Sequence, residues 1–398
     1  MLNALIILVA VLAGLVLLWP AVSRAHLWRA TITPLASIIG SGFLVLGPIL
    51  QDAYGQIAPL VMAMLCLFAY LFGAAIRFNI TRIDTRANSG DPIERGLETA
   101  AAWALSFAYI VSVAYYLNLL GAFAVSLTYL NDAFHAKLVT SGVFCIILFV
   151  GWTQGFGALE RLEQVSVGLK LSIIAGLLFG LGWFFTGQAA SGELVFTPSR
   201  LGGWPAIALA FGLLVTVQGF ETSRYLGAEY DAQTRVRSMQ LAQWVSSAIY
   251  MIYIVFLSYL FAPGTIELSE TAIIDLMAIV APILPMLLIA AALSAQFSAA
   301  VADTSGSGGL MTELTSGRIS ARGGYAILVG AGLVLTWALS VFEIISYASR
   351  AFAFYYALQA AIAAKGAWQH PRQTGKALLF LALACLGGLI TLFGAPIE

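Results

Sequence analysis

The sequence predicts an all-α membrane protein with about twelve transmembrane helices. Three observations carry that prediction. Of 398 residues, 61% are hydrophobic and only 10% charged, with a mean hydropathy of +0.92, a composition suited to hydrocarbon rather than water. Predominantly apolar segments of about 20 residues, the length that crosses a bilayer core, recur along the whole chain. Lys and Arg concentrate in alternate connecting loops, as the positive-inside rule requires.

Taken in order, the spans fall at residues 2–22, 27–50, 57–78, 97–130, 137–156, 159–185, 204–225, 238–261, 274–310, 319–341, 343–364 and 378–393. The first has the length of a signal peptide, but it has neither a basic start nor a clear small-residue cleavage site, so it is read as a helix. One set of loops carries Arg24 and Arg29; Arg77, Arg82, Arg86 and Arg95; Arg161; Arg224, Arg235 and Arg237; Arg318 and Arg322; and Lys365, Arg372 and Lys376. The intervening loops hold chiefly Lys137 and Arg200, beside Asp52, Asp132, Glu193, Glu267 and Glu270. Both termini are therefore expected outside.

The same inventory excludes several classes. The formal net charge is zero, so no basic surface points to nucleic acid. Cys66, Cys145 and Cys385 lie singly in apolar runs and read as packing residues. His26, His135 and His370 are scattered at or beyond span ends. With no HExxH-type motif and no phosphate-cradling glycine loop, the expectation is no enzyme, no cofactor and no metal.

Two spans are interrupted. Residues 33–48 read TPLASIIGSGFLVLGP, broken at the centre by Gly40, Ser41 and Gly42. Backbone groups freed inside a bilayer are tolerated where they line a cavity or hold a ligand; the plainer reading is close packing of small residues against a neighbouring helix. Residues 206–230 read AIALAFGLLVTVQGFETSRYLGAEY, with Gly219 amid Gln218, Glu221, Thr222 and Ser223. Counted from the first broken span, this is the sixth helix. Helices five positions apart run in opposite directions, as two inverted five-helix repeats require.

On these residues the sequence resembles the amino acid-polyamine-organocation (APC) superfamily of secondary transporters. IIGSGFLVLGP is similar to that family's glycine-broken helix 1, QGFE followed by GAEYDAQTR to its helix 6, and GALERLEQVSVGLKLSIIAGLL to the opening of its helix 5. The resemblance covers about residues 27–364. It implies a LeuT-like 5+5 inverted repeat with one extra N-terminal and one extra C-terminal helix. The units are then an extra helix at 1–26, repeats at 27–187 and 188–366, and a last helix at 367–398. The extra leading helix is also similar to sodium-solute symporters, which share the fold.

The dipole at the start of the second half of helix 1 favours an anion. Backbone N–H groups of Ser41, Gly42 and Phe43 are thus expected to meet a carboxylate, and carbonyls around Val217, Gln218 and Gly219 an amine. Tyr109 or Tyr116 of helix 3 reaches the site in this reading, against the alternative of an aromatic belt. Lys170, about eleven residues into helix 5, is the leading candidate for coupling. In part of the resembled superfamily a lysine at the matching place puts its ammonium where sodium-dependent relatives hold sodium; ion pairing or snorkelling is the alternative. Ser294 and Ser298, with Thr304, are the competing sodium ligands. Glu221 is a candidate for proton sensing or inner gating. Glu343 and Arg350, seven residues apart on one helix face, are candidates for an outer gate or a fixed charge network. Asp303 is expected to pair with a cytoplasmic arginine, and Phe352, Tyr355 and Tyr356 to wall the path or simply pack.

The function expected is that of a permease for an amino acid or related small amine in the plasma membrane (the bacterial inner membrane). It works by alternating access, with the proton as coupling ion or by sodium-independent exchange. The alternatives are a sodium-coupled symporter and a non-transporting sensor of the same fold. Substrate identity and oligomeric state are not legible.

Overall fold

The computed structural model describes residues 1–40, 42–85, 91–153, 157–227, 230–262, 264–265 and 267–397, without the side chains of 83–85 and 157–165. The chain is helical throughout, with no strand among the described residues. In order the helices are α1 (Leu2–Leu18), α2 (Pro20–Ser23), α3 (His26–Ile38), α4 (Gly42–Tyr54), α5 (Ala58–Thr85), α6 (Pro92–Val125), α7 (Ala133–Thr153) and α8 (Gly157–Ser191). They continue as α9 (Gly203–Gly212), α10 (Ala232–Leu260), α11 (Ala272–Val280), α12 (Leu284–Leu314), α13 (Ala321–Ala338), α14 (Val341–Trp368) and α15 (Thr374–Phe393). Eight helical stretches among the described residues are long and apolar enough to cross a membrane.

Each expected span falls on one of these helices or on a short pair, and the pairs have identifiable causes. The span at 27–50 divides into α3 and α4 around Gly40. The span at 204–225 becomes α9, a 3-10 turn at Leu214–Val217, an extended Gln218, and a second 3-10 turn at Phe220–Tyr225. This break is longer than the single glycine suggested. The span at 274–310, expected unbroken, divides into α11 and α12 where Ala281 turns extended (φ −162°, ψ 133°) ahead of Pro282. A proline disfavours the helical region for the residue before it.

Helix α6 is the axis of the molecule. From Leu105 to Phe123 nearly every residue is buried, because α12, α14, α7 and α13 all pack on it. Helix α10 packs on α5 and α3, α15 on α14, and α1 on α8. Both broken segments pack on α10 and α5, and the second also on α14.

Helix α10 starts from a cap: the Asp231 carboxylate accepts from the Thr234 N–H at 2.7 Å. Hydrogen bonds from Thr234 hold its carboxyl below the usual carboxylate range. A lowered folded-state pKa means the contribution is complete above the ordinary value and fades as pH falls through the lowered one. Asp231→Ala is expected to lower the temperature of half-denaturation by roughly 2 °C at pH 7, and by less in acid; a melting series against pH checks it.

Candidate functional site

The two breaks face each other. A Cβ on Gly42 would lie 2.5 Å from Thr216 Cα. A Cβ on Gly219, which sits at φ +115°, would run into the Ser37 side chain. Each interrupted helix thus carries a glycine on which the other rests. The Tyr250 hydroxyl of α10 lies 2.6 Å from Thr216 O and 3.0 Å from Ile38 O, bridging both breaks.

The ends of the half-helices carry the polar groups expected of them. At the end of α3, Ala36 O accepts from Lys170 Nζ at 2.5 Å, with Lys170 only 1% exposed. At the start of α4, Gly42 and Phe43 are buried, and the Phe43 ring packs on Tyr253 with centroids 4.4 Å apart. The expectation for Ser41 lies outside the described residues. In the sixth span, Val217 and Gln218 are buried. Gln218 Nε2 donates to Tyr116 OH at 2.9 Å, while its Oε1 is buried with no partner among the described residues. Glu221 Oε2 accepts from Gly219 N at 3.0 Å and from Tyr356 OH at 2.7 Å; its Oε1 is buried and likewise has no partner among the described residues.

Tyr109 is buried, with its ring edge-on to Phe352 at 6.2 Å. Of the two tyrosines, Tyr116 is the one bonded to the break. The Asp303 carboxylate accepts from Ser112 Oγ of α6 and is 4% exposed, so it sits in the α6–α12 seam. Ser349 of α14 accepts from Val215 N at 2.9 Å and donates to Gly212 O at 2.6 Å, tying α14 to the sixth-helix break. Tyr250, Ser112 and Ser349 were absent from the sequence reading, because a lone hydroxyl in an apolar run carries no signal of its partner.

The hydroxyls of the competing sodium reading each make a hydrogen bond, and a hydroxyl that donates keeps its lone pairs. Ser294 Oγ lies 2.6 Å from Ser166 Oγ, Ser298 Oγ donates to Ala295 O at 3.2 Å, and Thr304 Oγ1 to Ala300 O at 2.6 Å. Glu343 and Arg350 do not meet. Glu343 closes a capping box with Ser340, its carboxylate accepting from Ser340 N at 2.7 Å. Arg350 Nε donates to Thr391 O at 2.7 Å instead.

Near the start of α6 three acids each hold a cation from another element: Asp91 with Lys365 of α14, Glu94 with Arg82 of α5 at 2.6 Å, and Glu98 with Arg224 at 2.7 Å. Arg224 also donates to Gln359, which accepts from Asn79 at 2.9 Å. The segment after the sixth-helix break is thus clamped to α6 and α14. Arg224→Met leaves partly buried acceptors without their cation, at a cost of about 1–3 kcal/mol. It is expected to raise the rate at which a cysteine at Ser223 is labelled from the inner side by roughly tenfold or more, with Cys66, Cys145 and Cys385 replaced. Adding Glu98→Gln should recover part of that change.

A family model described as APC superfamily transporter matches residues 20–394 of the chain. A protein of Aquifex aeolicus (strain VF5), described as an uncharacterized protein, is 40% identical over 389 residues, covering 95% of this chain and 93% of that protein. The chain belongs to the amino acid-polyamine-organocation superfamily of transporters.

Proposed function

Taking that membership as the premise, we propose that the protein carries an amino acid or related small amine by alternating access, sodium-independently, with Lys170 as the coupling residue and the proton as coupling ion. The observation that supports this reading is the buried Lys170 ammonium on Ala36 O, at the end of the first half-helix. An ammonium in that position repels a second cation beside it and can itself gain and lose a proton.

Facing breaks on a LeuT-like five-plus-five repeat agree with a substrate held at the midplane. The N-terminal end of α4, at Gly42 and Phe43, takes the carboxylate. Val217, Gln218 and Gly219 take the amine, aided by Gln218 Oε1, which has no partner among the described residues. Tyr109 and Phe352 bound the side-chain space, and Glu221 links the second half of helix 6 to α14 through Tyr356. The setting proposed is the bacterial inner membrane.

The test is uptake of a panel of radiolabelled amino acids and amines into proteoliposomes under imposed proton or sodium gradients. Accumulation driven by the proton gradient supports the reading; exchange indifferent to both gradients keeps the substrate class and overturns the coupling role of Lys170. Sodium-driven accumulation overturns it in favour of Ser294 and Ser298, and specific binding without flux in favour of a sensor.

A further inference from the structure

On the outside of the helix bundle lies a groove of about 760 Å³. It runs along α6 from Ala100 to Val111, a length of about 16 Å at the helical rise, and is closed by Leu335 of α13, Leu339 just after it and Phe354 of α14. Its walls are apolar, and Phe107 and Phe354 along it are 60% and 47% exposed. Among the described residues Arg350 is the one charged side chain lining it.

The state of that arginine is the informative feature. Its Nε is anchored on Thr391 O, and its guanidinium carbon lies 5.8 Å from the Tyr347 ring centroid. The two terminal nitrogens have no acceptor among the described residues. A half-buried guanidinium with open donors is costly without an anion, and Arg350 lines the groove. Guanidinium donors in a planar fork match a phosphate.

We propose that this groove is a binding site for an anionic phospholipid, the phosphate held by Arg350 and one acyl chain laid along α6 toward Ala100. The charge at one end and the narrow apolar run beyond it match a charged head with a long tail. A second copy of the chain would have to bring an acid to Arg350 and a ridge to the groove.

The test is native mass spectrometry of the full-length protein released from membranes of mixed phosphatidylglycerol and phosphatidylcholine. The wild type is expected to retain phosphatidylglycerol about tenfold over its share of the mixture, because phosphatidylcholine carries its own cation beside the phosphate and offers Arg350 no net negative charge. Arg350→Gln should abolish the preference and Arg350→Lys should keep most of it. Ala100→Trp, which fills the inner end of the groove without touching the charge, should reduce total bound lipid and so covers the case in which Arg350→Gln fails to fold. Equal retention of both lipids by the wild type, an unchanged preference in Arg350→Gln, or a lipid-free dimer would each overturn the proposal.

Discussion

Proteoliposomes carrying Lys170→Ala are expected to lose proton-driven accumulation, with the initial rate falling by one to two orders of magnitude. That is the shift produced by losing a charge-assisted hydrogen bond of about 1.5–3 kcal/mol. The reasoning starts at Ala36. Helix α3 ends at Ile38; Leu35 O and Ser37 O accept from Ile39 N and Gly40 N, and Ala36 O takes the Lys170 ammonium at 2.5 Å. A protonated lysine holds the end of α3 against α8; a neutral amine is a weaker donor and holds it less firmly. Protonation is thereby linked to the position of the first half-helix. Alanine removes the titrating group and should leave exchange of substrate down its own gradient, now insensitive to pH. Arginine keeps a permanent charge, so Lys170→Arg should bind substrate yet stall net transport. Uptake that remains proton-driven in Lys170→Ala would remove this residue from the mechanism.

Much of this arrangement was legible in the sequence, for reasons that differ residue by residue. Gly40, Gly42 and Gly219 stood out because glycine inside an apolar span has few uses, and Lys170 because a charge there has fewer. The positions of Tyr250, Ser112 and Ser349 were not legible. Their partners lie far along the chain, and only the packed helices bring Val215 N to Ser349 Oγ across a separation of 134 residues. For Asp303 the helix read in isolation suggested a cytoplasmic arginine and gave no sign of the Ser112 hydroxyl that α6 brings to its carboxylate.

The seven-residue spacing of Glu343 and Arg350 was a true helical register that did not become a contact. A Ser-x-x-Glu capping box stood in the same sequence, at Ser340 and Glu343, and local caps form without help from tertiary structure. Likewise Pro282 and Pro285 marked the division between α11 and α12 within a run that hydropathy alone joined. Local backbone chemistry outweighed the longer pattern in both places.

Gly219→Ala is expected to abolish uptake, and the cause can be separated into two parts. Gly219 sits at φ +115°, ψ −14°, a conformation that costs an ordinary residue about 1–3 kcal/mol. Its new Cβ would also collide with the Ser37 side chain and come within 2.7 Å of Ile38 N, so the two half-helices must separate, at about 1–3 kcal/mol for overpacking. The sum of about 2–6 kcal/mol rivals the net stability of an ordinary domain. Ser37→Gly in the same chain should relieve the side-chain collision and restore a measurable part of uptake, while the backbone cost remains. Gly42→Ala provides the contrast. There the obstruction includes Thr216 Cα and O at 2.5 and 2.7 Å, which no substitution of Thr216 removes, so Thr216→Gly should rescue nothing. Uptake at wild-type level in Gly219→Ala would mean that the breaks do not meet during transport. Rescue of Gly219→Ala alone would identify their contact as a condition of function.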